Sequence, residues 1–210
     1  MKWQISSMFS RLLSVISILL LACLLTACNL FGINIGGSTQ NTTGTPTAKA
    51  TPTPTAAPNL TTYKGDGYSI GYPQGWTVKN SGALVTITGP SSLATFIIQV
   101  SPDPGGVVAP SAAVDEGLNI FKSQGKNYQQ VSVAPTTSLA GTTWNQGAAT
   151  EDVTKSGQTA NAKTIVISCN YPAQSASTRL FTLAYAAPSL LFDQTNTLSF
   201  QPMLQSFKFS

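Results

Sequence analysis

Histidine is absent from this 210-residue chain, and charged side chains make up only 9% of it. The first absence removes the usual proton shuttle and the commonest transition-metal ligand. A Ser-His-Asp triad is therefore excluded. The sparse charges form no basic stripe: Lys64, Lys79, Lys122, Lys126, Lys155, Lys163, Arg179 and Lys208 are scattered, which argues against nucleic acid as a partner. Cysteine is nearly missing too. Beyond the first 28 residues only Cys169 remains, and one thiol cannot close an internal disulfide. It ends the run Thr164-Ile165-Val166-Ile167-Ser168-Cys169, where Ile165, Ile167 and Cys169 alternate onto one strand face. That pattern reads as a small buried hydrophobe rather than a reactive thiol. No glycine-rich phosphate loop is present.

The N-terminus, by contrast, is explicit. Lys2 and Arg11 precede the apolar run Leu12 to Ala27, and no acidic residue occurs before Asp66. This is the charge and hydropathy pattern of a secretory signal. The run is short for a spanning helix, which needs about 20 apolar residues. It closes with Leu25-Thr26-Ala27-Cys28, which resembles the lipobox of bacterial lipoproteins. The resemblance implies cleavage before Cys28 and a covalent diacylglycerol on its thiol. Residues 1–27 are then a signal peptide, and the mature chain is held on the extracytoplasmic face of the cell membrane. Two or more acyl chains hold stably where one does not.

Residues 28–59 are rich in Thr, Pro, Gly, Ala and Asn, with Lys49 as the one charge. Such a composition cannot bury enough surface to offset chain entropy. It reads as a tether, part polyproline around TPTPT, and residues 36–59 would reach roughly 70 Å at about 3.1 Å per residue. Lys2 and Arg11 leave with the signal, so the mature chain carries nine basic residues against seven acidic ones and is close to neutral.

Residues 60–210 are long enough for one domain with a real core. Val-, Ile-, Thr-, Tyr- and Phe-rich segments between turn clusters predict strands near 68–72, 83–88, 94–101, 128–133, 138–153 with a bend, 160–171, 177–186 and 205–209. A helix is predicted after Pro110, with Ser111 as its N-cap and Val114, Leu118 and Phe121 on one face, ending near Gly125. A second begins at Ser189, and a further helical turn spans Phe200 to Leu204. Long antiparallel strands with separate helices give an α+β fold.

Three segments carry a resemblance. GYSIGYPQGW opens the domain, LAGTTW begins its middle hairpin, and FQPMLQSFKF ends it. Together they resemble the PsbP/Mog1-like family over nearly all of 60–210. The resemblance implies a central antiparallel β-sheet flanked by helices. Members of the family include photosystem II extrinsic subunits, a Ran-binding protein and bacterial lipoproteins of unassigned role, the last matching this N-terminus. Metals associated with the photosystem relatives find no matching ligand set here. A photosynthetic accessory role would rest on that analogy alone.

Catalytic patterns are present only as letters. Gly67-Tyr68-Ser69-Ile70-Gly71 spells the nucleophile elbow, but a base is missing and Pro73 opposes the helix that must follow. Ser123-Gln124-Gly125-Lys126 spells S-x-x-K, yet Gly125 ends the helix that would align the pair. Asp115 and Glu116 diverge on a helix, and Glu151 and Asp152 point to opposite faces of a strand. An enzyme would need distant carboxylates, drawn from Asp66, Asp103, Glu151, Asp152 and Asp193, to meet in one polar pocket. The reading favoured by the sequence is a non-enzymatic protein without cofactor or metal, binding an envelope protein or a small ligand. Tyr63, Trp76, Tyr128, Trp144 and Tyr171 are its candidate anchors, and the Pro/Gly loop 102–110 a candidate interaction loop.

Overall fold

The computed structural model describes residues 59–90, 92–155 and 158–210. The expected signal peptide, Cys28 and almost all of the tether lie outside the described residues, as do Ser156 and Gly157 of the expected turn between two long strands.

Eleven strands form among these residues. Strands β1 (Leu60–Gly65), β2 (Tyr68–Pro73) and β11 (Lys208–Phe209) make a small sheet in the order β1-β2-β11. The main sheet contains β3 (Thr77–Ser81), β4 (Leu84–Thr88), β5 (Thr95–Pro102), β6 (Lys126–Val131), β7 (Thr136–Leu139), β8 (Thr142–Lys155), β9 (Gln158–Tyr171) and β10 (Arg179–Pro188). Its order is β3-β4-β5-β10-β9-β8-β6, with β7 also paired to β8, and every pairing is antiparallel. This is an α+β fold with a sheet core.

Alternation along β9 decides what covers each face. Ile167 and Cys169 point into the larger core with Phe181, Leu183, Trp144, Phe96 and Ile98. The small sheet and the C-terminal helical segment close that side through Tyr68, Phe200, Met203 and Phe207. Val166 points the other way, toward helix α1 (Pro110–Gln124), where it meets Val114, Leu118 and Ala149. The fit there is close. A Cβ on Gly147 would lie 2.8 Å from Leu118 Cδ1, and one on Gly117 would lie 3.0 Å from Val166 Cγ1.

Several expected boundaries shift. Strands β1 and β3 lie outside the expected set because both are edge strands without a buried side chain, so neither shows apolar alternation. The long strand expected over 138–153 is two strands. Ala140 (φ 51°) and Gly141 (φ 73°) turn the chain between β7 and β8, as a two-residue hairpin loop requires. The N-cap of α1 is Ala109, not Ser111, because Pro110 occupies the first turn, where its missing N–H costs nothing. After β10 the chain forms a 3₁₀ turn (Ser189–Leu191), α2 (Phe192–Thr195), a π turn (Asn196–Phe200) and α3 (Gln201–Ser206). The last helix takes residues 205 and 206 from the expected final strand, and β11 begins only at Lys208.

Candidate functional site

The five candidate aromatic anchors do not converge. Tyr63 on β1 is half-buried, lies 6.2 Å from the Tyr68 ring and accepts a hydrogen bond from Asn80 Nδ2 at 2.9 Å. Trp76 follows the β2 turn and meets Phe200 edge-on at 6.1 Å. Trp144 is fully buried, and its Nε1–H donates to the Leu139 carbonyl at 3.0 Å. Tyr128 lies on the opposite side of the main sheet, against α1, with Lys122 Nζ 5.7 Å from its ring centre. Tyr171 is 38% exposed and stacks on Phe209 at 3.7 Å. Trp144 and Tyr171 share Phe209 as a neighbour, since the Trp144 ring lies 6.0 Å from it. Trp76 and Trp144 are therefore packing residues, and Tyr171 alone keeps substantial surface.

The carboxylates separate likewise. Asp66 pairs with Arg179 Nη1 at 2.8 Å beside the β1–β2 turn. Asp103, 5% exposed, accepts from the Val107 and Val108 N–H groups at 3.1 and 3.2 Å and so braces the Pro/Gly loop from within. That loop is fastened as well by Asn170 Nδ2, which donates to the Val108 carbonyl at 2.9 Å. Asp193 is exposed, 3.9 Å from Lys163 Nζ. Asp152 accepts from Asn127 at 2.7 Å and Asn161 at 2.9 Å, which holds its carboxyl below the ordinary value. Glu151 faces the other way, 3% exposed, and burial pushes its carboxyl up to about 7. No cluster of three or more Cys, Asp or Glu suited to a metal occurs among the described residues.

Ser69 lies within β2, paired with Lys64 and Lys208 on the flanking strands, and no helix follows it. Ser123 Oγ donates to the Ile120 carbonyl at 2.7 Å within α1. The thiol of Cys169 is buried, and burial pushes it up to about 12, so it is the packing residue the alternation implied.

A concavity between the 132–135 loop and β8 has no signature among the sequence patterns. It has a volume of about 440 Å³, opens to solvent, and is lined by Gln130, Val131, Ser132, Val133, Pro135, Gln146 and Gly147. Gln146 is pinned there: its Nε2 donates to the Ala134 carbonyl at 2.7 Å and its N–H to the Pro135 carbonyl at 2.9 Å. No ionisable side chain lines it. Its chemistry is that of shape and neutral hydrogen bonds. Among the described residues no helix is long and apolar enough to cross a membrane.

Comparison with known proteins gives a likeness in fold. No protein-family model matches the chain, and no curated protein matches it. Among solved structures it is similar to LpqN of Mycobacterium tuberculosis, described as involved in cell envelope biogenesis, with a TM-score of 0.50 and 12% identity over 72% of this chain and 91% of that one. A Bacteroides thetaiotaomicron protein matches with a TM-score of 0.40 and 10% identity, over 69% of this chain and 45% of that one. PA94 of Pseudomonas aeruginosa, of unknown function, matches with a TM-score of 0.33 and 14% identity, over 66% and 89%. At these identities the likeness to LpqN concerns the fold.

Proposed function

We propose that the chain is an extracytoplasmic lipoprotein whose β-rich domain binds an envelope partner and catalyses no reaction. The observation that carries the reading is the succession of lipobox-like Leu25-Thr26-Ala27-Cys28, a tether without apolar periodicity, and an ordered sheet beginning at Leu60. Such a layout supports a reading in which a folded module is held at a distance from a membrane. LpqN, similar in fold, is described as involved in cell envelope biogenesis, and an envelope setting for this chain accords with that likeness. The dispersal of Asp66, Asp103, Glu151, Asp152 and Asp193 supports a binding role, because acid–base catalysis needs groups that converge on one reacting atom.

The PsbP/Mog1-like reading of the domain is part of the same proposal. Its three motif segments meet in one core: Tyr68 stacks on Phe207 at 5.6 Å, Trp144 meets Phe207 edge-on at 5.7 Å, and Trp76 meets Phe200 at 6.1 Å. The motifs thus specify packing and leave function to the surface.

The test is crosslinking and co-purification from the native host, comparing the chain carrying its own signal with a Cys28→Ala variant. An envelope protein enriched with the lipidated form and lost with the variant is the expected outcome. A properly lipidated chain that enriches nothing would overturn the protein-partner reading and move attention to the 132–135 groove and small ligands.

A further inference from the structure

Glu151 follows Gly147 and Ala149 on the β8 face that α1 covers, and it lies under the C-terminal end of that helix. Gly125 closes α1, and its missing side chain is what admits the carboxyl group: a Cβ at Gly125 would collide with Glu151 Cδ at 2.7 Å. The Oε2 atom is buried without a hydrogen-bond partner. A helix C-terminus carries the negative end of the peptide dipoles, the wrong end for an anion.

Among the described residues no ion pair reaches Glu151, and Lys126, the first residue of β6, stands in register with Asp152 on the other face. From α1, Lys122 lies over the Tyr128 ring, and Asp115 adds negative charge nearby. From β6, Tyr128 presents a phenol that burial, Glu151 and Asp115 all push up. From β9, the residue opposite Glu151 is Ala162. Asp152 points to the other face, and among the described residues the ion pairs, Lys163–Asp193 and Arg179–Asp66, both lie elsewhere. The site therefore suits a neutral carboxylic acid, consistent with a carboxyl pushed up to about 7 by burial.

The helix above is held by a thin layer. Val114 and Leu118 are buried, Phe121 and Tyr128 are half-buried, and the strands beneath offer Ala149, Val166 and Ala184. We propose that Glu151 is a pH-sensitive latch: its ionisation releases the C-terminal half of α1 from the main sheet and uncovers the apolar strip beneath. Hydration of the Oε2 atom, which faces Gly125, needs the end of α1 to lift. Lifting needs no change in the larger core, which lies on the opposite face.

Hydrogen–deuterium exchange on the full mature chain in detergent micelles tests this. Amides of residues 117–125 and of β9–β10 would be compared at pH 5.5 and 8.5, after correction for the intrinsic pH dependence of exchange. The protection of 117–125 is expected to fall on the order of thirtyfold between these values, with β9–β10 unchanged. Glu151→Gln should keep the low-pH protection at both. Equal protection of wild-type α1 at both pH values, or a variant that loses it as wild type does, overturns the latch. The chain has two glutamates, Glu116 and Glu151. Selective ¹³C-carboxyl labelling therefore gives a second measurement that needs no Gln variant. Two signals that both titrate at the ordinary glutamate value would also overturn the proposal.

Discussion

Glu151 and Asp152 are adjacent in the chain and opposite in fate, because a strand sends successive side chains to opposite faces. Asp152 is held as an anion by two asparagine amides in water, whereas Glu151 is buried with an unpartnered oxygen. That they diverge was legible from alternation. Which one would be buried was not, since that depends on where α1 lands. The thermodynamic consequence has a definite sign. The folded-state carboxyl of Glu151 titrates at about 7, above its ordinary 4.5, so the folded state binds more protons across that window. Stability is full below about pH 4.5 and declines as pH rises to about 7, by on the order of 3 kcal/mol. Urea midpoints at pH 5 and pH 8 would show the difference, and Glu151→Gln should flatten it. Gly147 gives a second prediction at this scale. Valine there would force its side chain against Leu118 and Val114, where even a Cβ is too close, and should lower stability by roughly 1–3 kcal/mol in the same assay.

Among the elements, the C-terminal segment shows what sequence could and could not supply. A helical turn over Phe200 to Leu204 and a strand near 205–209 were legible from the local residue types. The succession of 3₁₀, α and π turns between Ser189 and Ser206 has no such signature, because it goes with the tertiary packing of Phe192, Phe200 and Met203 in the larger core. The edge strands β1 and β3 were hidden for a related reason: edges bury little, so pairing rather than apolar alternation defines them. Phe207 shows how much the segment carries. It stacks on Tyr68 of the small sheet at 5.6 Å and lies 5.7 Å from Trp144 and 6.4 Å from Phe181 of the main one. Phe207→Ala should cost about 3–5 kcal/mol, since the cavity opens where the two sheets meet. Leu190, 99% exposed on the 3₁₀ turn, supplies the contrast: Leu190→Ser should change stability by less than about 0.5 kcal/mol. Thermal melts of the two variants side by side would test whether the segment is held by its inward aromatics.

In the whole molecule, the pattern that suggests a location is local in the sequence, and no comparable pattern suggests a recognition surface. The lipobox-like motif and the tether are local patterns, readable without a fold. A concavity is assembled from separate segments, as the groove between loop 132–135 and Gln146 is, and no local pattern announces it. The same division yields a prediction that separates anchoring from folding. Both core clusters, and the pairings of both sheets, lie within residues 60–210. On the proposed reading of residues 28–59 as a tether, their composition is expected to add no packed surface to these. On the proposed reading, Cys28→Ala removes the acyl chains that hold the protein on the membrane, each buried methylene of which contributes about 0.8 kcal/mol to the partition. It removes nothing that holds the sheets together. The variant should therefore move from the membrane fraction toward the soluble extracytoplasmic fraction while its domain keeps the wild-type melting temperature. A variant that stayed in the membrane would point to a second membrane contact on the domain itself. One that left the membrane but melted lower would mean that anchor and fold are coupled, and the picture of an independent module on a passive tether would have to be abandoned.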